Sequence, residues 1–186
     1  MTHLDTLIQK INTLEGVRFG SILVENIPFF PELRKACEAN YCGNYGRNWK
    51  CPPHVGEINQ LIAQAKTYQT ALIFQKIYPL EDSFDFEGMM TAGADFRNIL
   101  HEIGQTATSL FKDCLVLGAG GCNHCQTCAI LEEQPCRFPN ISYASLEAYG
   151  IQVSTTAELC GMKYINGVNT VTYFGGILFN PSQSES

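Results

Sequence analysis

Cys114–Pro139 reads CLVLGAGGCNHCQTCAILEEQPCRFP. Its first residues, Cys114–Leu117, form a short apolar run of the kind that makes a buried strand. That strand feeds through Gly118-Ala-Gly-Gly121 into four cysteines, Cys122, Cys125, Cys128 and Cys136, spaced C-x2-C-x2-C-x7-C. A strand running straight into a cysteine loop implies a sheet with a chemical site at its end. A thiolate is a soft ligand, and two-residue gaps let successive sulfurs converge on one small centre. Three cysteines at this double spacing, with a fourth placed elsewhere, hold bacterial iron–sulfur cubanes. Zinc sites more often come as two separated C-x2-C knuckles on a tetrahedron. The array therefore points to an iron–sulfur cluster (4Fe-4S) ahead of structural zinc, with free or redox-active cysteines as the remaining reading. The glycine run resembles a dinucleotide-binding turn only weakly, because a cysteine loop follows it instead of a helix. These glycines are expected to let the backbone approach a cluster and aim amides at its sulfur atoms.

A second anchor lies upstream at Cys37-EANY-Cys42-GNYGRNWK-Cys51-PPH. Three cysteines fall here in a stretch of Gly, Asn, Tyr and Pro, a composition of turns. Pro52 and Pro53 fix the backbone after Cys51 and remove two amide donors. Tyr41, Tyr45 and Trp49 suggest packing around something. The functional reading is a three-thiolate site, or thiolates shared with the first array; the bland one is a glycine-rich turn with incidental buried cysteines. His54 is a fourth ligand, a proton donor or a plain loop residue. His124, inside the array, is not expected to be a ligand. His101 reads as a surface or core histidine, and Cys160 as a packing residue.

Composition bounds the class. The chain has 186 residues, is 45% hydrophobic and carries 11 Phe and 8 Tyr, so it can bury a core without cysteine staples. Its net charge of −6 and lack of a basic run leave no electrostatic footprint for nucleic acid. No stretch reads as a membrane span or signal segment, so the expected location is the cytoplasm. Disulfides are disfavoured there, and nine cysteines, an odd number, argue for metal or redox chemistry over a disulfide framework.

The rest of the chain predicts a mixed α/β fold, a central sheet flanked by helices. Helices are expected over 2–14, from Pro31 through Cys37, over Glu57–Lys66, Phe84–Lys112, Ser142–Tyr149 and Thr155–Gly161. Strands are expected over Phe19–Val24, Thr70–Ile77, Cys114–Leu117, Ile151–Val153 and Val168–Phe179. Gly88, Gly93 and Gly104 weaken the long helix by about 1 kcal/mol each relative to Ala, and a break is expected near Gly88–Gly93. Gly175 and Gly176 imply a bulge or a close backbone approach. Residues 1–180 read as one metal-binding domain and 181–186 as a disordered tail. The two cysteine loops are expected to meet on one side of the sheet.

With both loops quoted, the chain resembles a family of predicted metal-binding bacterial and archaeal proteins, domain of unknown function 2284. The matching stretches are Cys37-x4-Cys42-GNYGRNWK-Cys51-PP, Cys122-x2-Cys125-x2-Cys128-x7-Cys136-RFP, Ser145-LEAYGIQV and TYFGGILF, which run from about residue 30 to 180. The resemblance implies seven thiolates as ligands and supplies no substrate.

Seven thiolates divide most simply into a complete cluster on Cys122, Cys125, Cys128 and Cys136 and a second centre on Cys37, Cys42 and Cys51. The alternatives are one cluster on the first array, with zinc or plain packing on the second, and one larger centre shared by both. Three functions follow. The first is an iron–sulfur redox or electron-transfer protein of anaerobic metabolism, whose negative charge suits a basic partner protein. The second is an iron–sulfur enzyme using an open iron on the three-cysteine loop for lyase or desulfuration chemistry. Tyr45, Arg47, Trp49, Lys50 and His54 would then bind a small-molecule substrate, Arg47 and Lys50 by charge and the aromatic residues by shielding it from water. The third is a zinc-stabilised interaction module. The oligomeric state is not legible.

Overall fold

The structure, a computed structural model, describes residues 1–181. The tail expected to be disordered lies, after Pro181, outside the described residues. Five strands, β1 (Val17–Leu23), β2 (Thr70–Pro79), β3 (Cys114–Gly118), β4 (Ala144–Ser145) and β5 (Thr170–Phe179), form one sheet. Its order is β1-β2-β5-β3-β4. All neighbours are antiparallel except β3 and β4, which run parallel. The expected mixed α/β fold is therefore the one observed.

The central strands are buried on both faces, and the two-residue period of a strand sorts their side chains. Leu72 and Phe74 of β2, with Ile177 and Phe179 of β5, pack under α1 (His3–Asn12) and α4 (Phe86–Leu110). Ala71 and Ile73, with Phe174 and Leu178, face the opposite side. There they meet α3 (Ile58–Ala65) through Leu61 and α5 (Val153–Leu159) through Val153 and Ala157. The first helix is fixed at its start by a capping box, in which the Thr2 hydroxyl accepts from the Asp5 amide and the Asp5 carboxylate accepts from the Thr2 amide. No helix among the described residues is long and apolar enough to cross a membrane.

Three expectations are corrected. The long helix is unbroken from Phe86 to Leu110. Its glycines are points of contact: a Cβ on Gly93 would lie 3.3 Å from the Tyr173 hydroxyl, and one on Gly104 would lie 2.7 Å from the Tyr143 hydroxyl. The Asp85 side chain also caps the Gly88 amide at 2.7 Å. Second, the segment expected as a helix over Ser142–Tyr149 is β4 followed by one tight turn over Glu147–Tyr149. Ser142, Ala144, Leu146 and Ala148 are buried while the residues between them are not. That is the period of an extended chain, hidden in a sequence rich in helix formers. Third, the expected strand Ile151–Val153 reduces to a single bridge between Phe29 and Ile151, and Val153 opens α5. The glycine pair in β5 is a close approach and no bulge, since the register with β2 is continuous and a Cβ on Gly175 would lie 2.5 Å from the Phe74 ring.

One polar side chain sits against this logic. Gln75 of β2 is fully buried, and neither amide atom has a partner among the described residues. An unpartnered buried amide costs about 1–3 kcal/mol. Gln75→Met, of similar shape, is expected to raise the unfolding free energy by a comparable amount in urea titrations. A lower unfolding midpoint would contradict this.

Candidate metal centre

The two cysteine loops meet at the β3/β4 end of the sheet. The upstream loop leaves α2 (Arg34–Glu38), whose last turn carries Cys37, and folds as a string of tight turns. The Gly46 amide donates to the Pro52 carbonyl at 2.8 Å, and the Val55 amide to the Cys51 carbonyl at 3.0 Å. The Pro52–Pro53 peptide is cis. Arg34 braces the assembly by donating to the Gly56 carbonyl at 3.0 Å and the Ala148 carbonyl at 3.4 Å.

Contacts between the loops are direct. The buried Asn48 donates its amide to the Cys122 carbonyl at 2.6 Å and accepts from the Lys50 amide at 2.9 Å. The Trp49 indole donates to the Gln134 carbonyl at 3.0 Å. A Cβ on Gly121 would lie 2.9 Å from the Asn44 side chain. A Cβ on Gly118 would overlap the Leu100 side chain. Gly118 and Gly121 therefore admit other parts of the protein, where the sequence suggested approach to a cluster.

Cys122, Cys125, Cys128 and Cys136 line one small cavity together with Trp49, Lys50 and Ser142. The Cys125 side chain raises the Arg137 pKa, and the guanidinium donates to the Thr127 carbonyl at 2.9 Å and pairs with Glu132 at 2.6 Å. Ser142, buried, donates to the Phe138 carbonyl at 2.6 Å and stands 3.4 Å from the Cys136 sulfur. Burial pushes the Cys122 thiol up, the His124 amide pulls it back, and the sulfurs of Cys136, Cys125 and Cys128 push it further.

Cys51 links the two loops electrostatically. Burial first, and then the sulfurs of Cys42, Cys37, Cys122 and Cys128, push its thiol up to about 12. Burial likewise raises Cys37, with Arg34 opposing and Cys42, Glu147 and Glu38 adding to the shift. A metal that binds such thiols must displace their protons, so occupancy releases protons and strengthens as pH rises. Among the described residues no three His, Cys, Asp or Glu side chains form a ready site for a single metal ion. What the array offers is four cysteines, each a soft donor, lining one cavity. That set is suited to a thiolate-bound metal centre.

The profile of a family described as predicted metal-binding protein, domain of unknown function 2284, matches residues 20–179. The chain belongs to this family. The match spans both cysteine loops and all five strands from Gly20 of β1 onward. No curated protein and no solved structure matches the chain.

The family is described as predicted metal-binding, and the fold brings the four cysteines of the array to one cavity. The other expected site residues divide. Trp49, Lys50 and His54 line an open pocket next to the array, which they share with Cys136. His54 is exposed, its Nε2–H donates to the Gly46 carbonyl at 3.3 Å, and its ring meets Trp49 edge-on at 5.7 Å. Tyr45 is half-buried and Arg47 exposed, and neither lines that pocket or the cysteine cavity. Tyr41 is 96% exposed, so it shields nothing. Cys160 packs against the core as expected, below Gly20. The His124 ring donates to the Ile141 carbonyl at 2.6 Å.

Asn48, Arg137 and Ser142 were not singled out as site residues in the sequence. Only Arg137 carries a local signal, an arginine directly after the last cysteine. Asn48 acts as the bolt between the loops. Asn48→Ala leaves a partly buried carbonyl and amide unpartnered, at a cost of about 1 kcal/mol. It is also expected to speed chelator-driven loss of metal by about 10- to 100-fold, the usual range for a residue supporting ligands. An unchanged rate of loss would remove Asn48 from the site.

Proposed function

We propose that the protein is an iron–sulfur redox protein whose 4Fe-4S cluster is held by Cys122, Cys125, Cys128 and Cys136. The observation that carries this reading is the single cavity lined by all four sulfurs. Such a cluster supplies one-electron transfer at a potential set by hydrogen bonds to its sulfurs, local charge and solvent exposure. The chain's own residues provide each of these controls. The His124 amide and the Arg137 guanidinium offset negative charge at Cys122 and Cys125. Ser142 stands beside Cys136. Trp49 and Lys50 form the wall toward the outside. Cys37, Cys42 and Cys51 are the thiols left for a second centre, and Cys51 feels the sulfurs of Cys122 and Cys128. The net charge of −6 favours a basic partner protein, and the reading sets the protein in the cytoplasm, in anaerobic metabolism.

The test is a potentiometric titration of anaerobically purified protein. The reading expects a broad visible absorption that bleaches and recovers reversibly as one-electron steps. A cluster that is present but cannot be reduced within the stability range of water would remove the redox role. The enzyme reading, with an open iron on the three-cysteine loop, is favoured by one observation: Trp49, Lys50 and His54 of that loop wall an open pocket. Cys37, Cys42 and Cys51 do not line it. A shift of the cluster spectrum on adding a small thiol would move the conclusion to that enzyme, and a colourless zinc-loaded chain to a zinc-stabilised module.

A further inference from the structure

The pocket on the outer side of Cys136 has a volume of about 580 Å³, within the range of small-molecule sites. Its construction follows from a short strand. β4 pairs only with Leu117 and Gly118, so the outer edge of β3 from Cys114 to Val116 has no partner strand among the described residues. That edge forms part of the floor and brings main-chain donors and acceptors into the cavity. Thr108 of α4 borders it from one face of the sheet, and Tyr149 from the other. The cysteine loops close the remaining side with Trp49, Lys50 and Cys136.

Its chemistry is one-sided. Lys50 and His54 line it, and no Asp or Glu is among its lining residues. Trp49, Tyr143 and Tyr149 give it aromatic walls, and Val55, Leu115 and Pro139 an apolar lining. A cation lining an aromatic and apolar cavity suits a ligand with one negative charge and a flat or branched apolar body. A dianion such as a free phosphate ester would leave most of this lining unused.

We propose that this pocket binds a small organic monocarboxylate with an aromatic or branched apolar body, its carboxylate on Lys50 and its body against Trp49 and Tyr143. The proposal rests on the redox reading in one respect: Cys136 lines both this pocket and the cysteine cavity, so the bound ligand lies one side chain away from the proposed cluster.

Trp49 is the sole tryptophan of the chain, which makes its emission a reporter for this pocket. The experiment is equilibrium dialysis of phenylacetate against the anaerobically purified full chain, with Trp49 emission followed in parallel and iron and sulfide measured on the same sample. Saturable binding that changes Trp49 emission is expected. Lys50→Met should weaken it about tenfold, the loss of one charge-assisted contact, while Lys50→Arg retains it. Thr108→Phe, at an exposed position on α4, fills the pocket and should abolish binding without altering the circular dichroism spectrum. Phenylacetamide, which lacks the charge, should bind about as weakly as phenylacetate binds Lys50→Met. Absence of saturable binding to an iron-loaded chain would overturn the proposal and leave the redox reading standing. So would equal affinity for acid and amide, or full binding by Thr108→Phe. Saturable, Lys50-dependent binding by a chain without iron or sulfide would support the pocket and sink the cluster.

Discussion

Cys125→Ser is expected to strip the array of its metal, leaving the protein without about four irons and their sulfide. A serine hydroxyl keeps its proton near neutral pH and is a hard oxygen donor, so it does not replace a soft thiolate. Arg137, whose pKa Cys125 raises, keeps its own partners in the Thr127 carbonyl and Glu132. Cys160→Ser is the control, because that cysteine packs against the core away from both loops. It should keep its full metal content. Cys37→Ser separates the ways of dividing the seven thiols. With two separate centres it removes only the second; with one shared centre it removes all. Metal and sulfide unchanged in Cys125→Ser would contradict the assignment of the array.

Phe74→Ala is expected to cost about 3–5 kcal/mol of stability, the usual range for deleting a buried aromatic ring. Phe74 is fully buried at the centre of β2, its ring 6.0 Å from that of Phe96 and laid across the bare backbone of Gly175. No side chain on Gly175 can move into the void, and α4 lies over it on a sheet that is continuous in register, so collapse is limited. Urea unfolding measures the loss. A cost below about 1 kcal/mol would mean that the α4 face repacks freely. Metal per folded chain should be unchanged, since Phe74 is on the α4 face of the sheet and outside both loops.

Much of this architecture was legible because its strongest signals are local. β2, β3 and β5 read as apolar runs bounded by turn residues, and α1 and α3 as amphipathic periods. The resemblance carried by both cysteine loops and by the closing TYFGGILF agrees with the family match over residues 20–179. The errors have physical causes. Intrinsic propensity predicts a weak point at the glycines of α4, but the roles of Gly93 and Gly104 are set by Tyr173 and Tyr143 pressing on the helix from elsewhere in the chain. Ser145-LEAY has helix-forming residues and so predicts a helix, although burial over Ser142–Ala148 alternates with a period of two. The meeting of the two loops depends on Asn48 reaching Cys122 across 74 residues of sequence, a contact no local pattern encodes. For the same reason Arg47, a cation in an aromatic loop, suggested a substrate contact and is exposed, whereas Lys50 three residues later faces both cavities.

The central claim is that the array holds an iron–sulfur cluster. Anaerobic purification followed by a visible spectrum and by iron, zinc and acid-labile sulfide per chain tests it most directly. The account predicts a brown protein with broad charge-transfer absorption and about four irons with matching sulfide on the array. The total rises to about eight when Cys37, Cys42 and Cys51 carry a second cubane. A colourless protein that retains zinc and contains no sulfide after strictly anaerobic handling would contradict it.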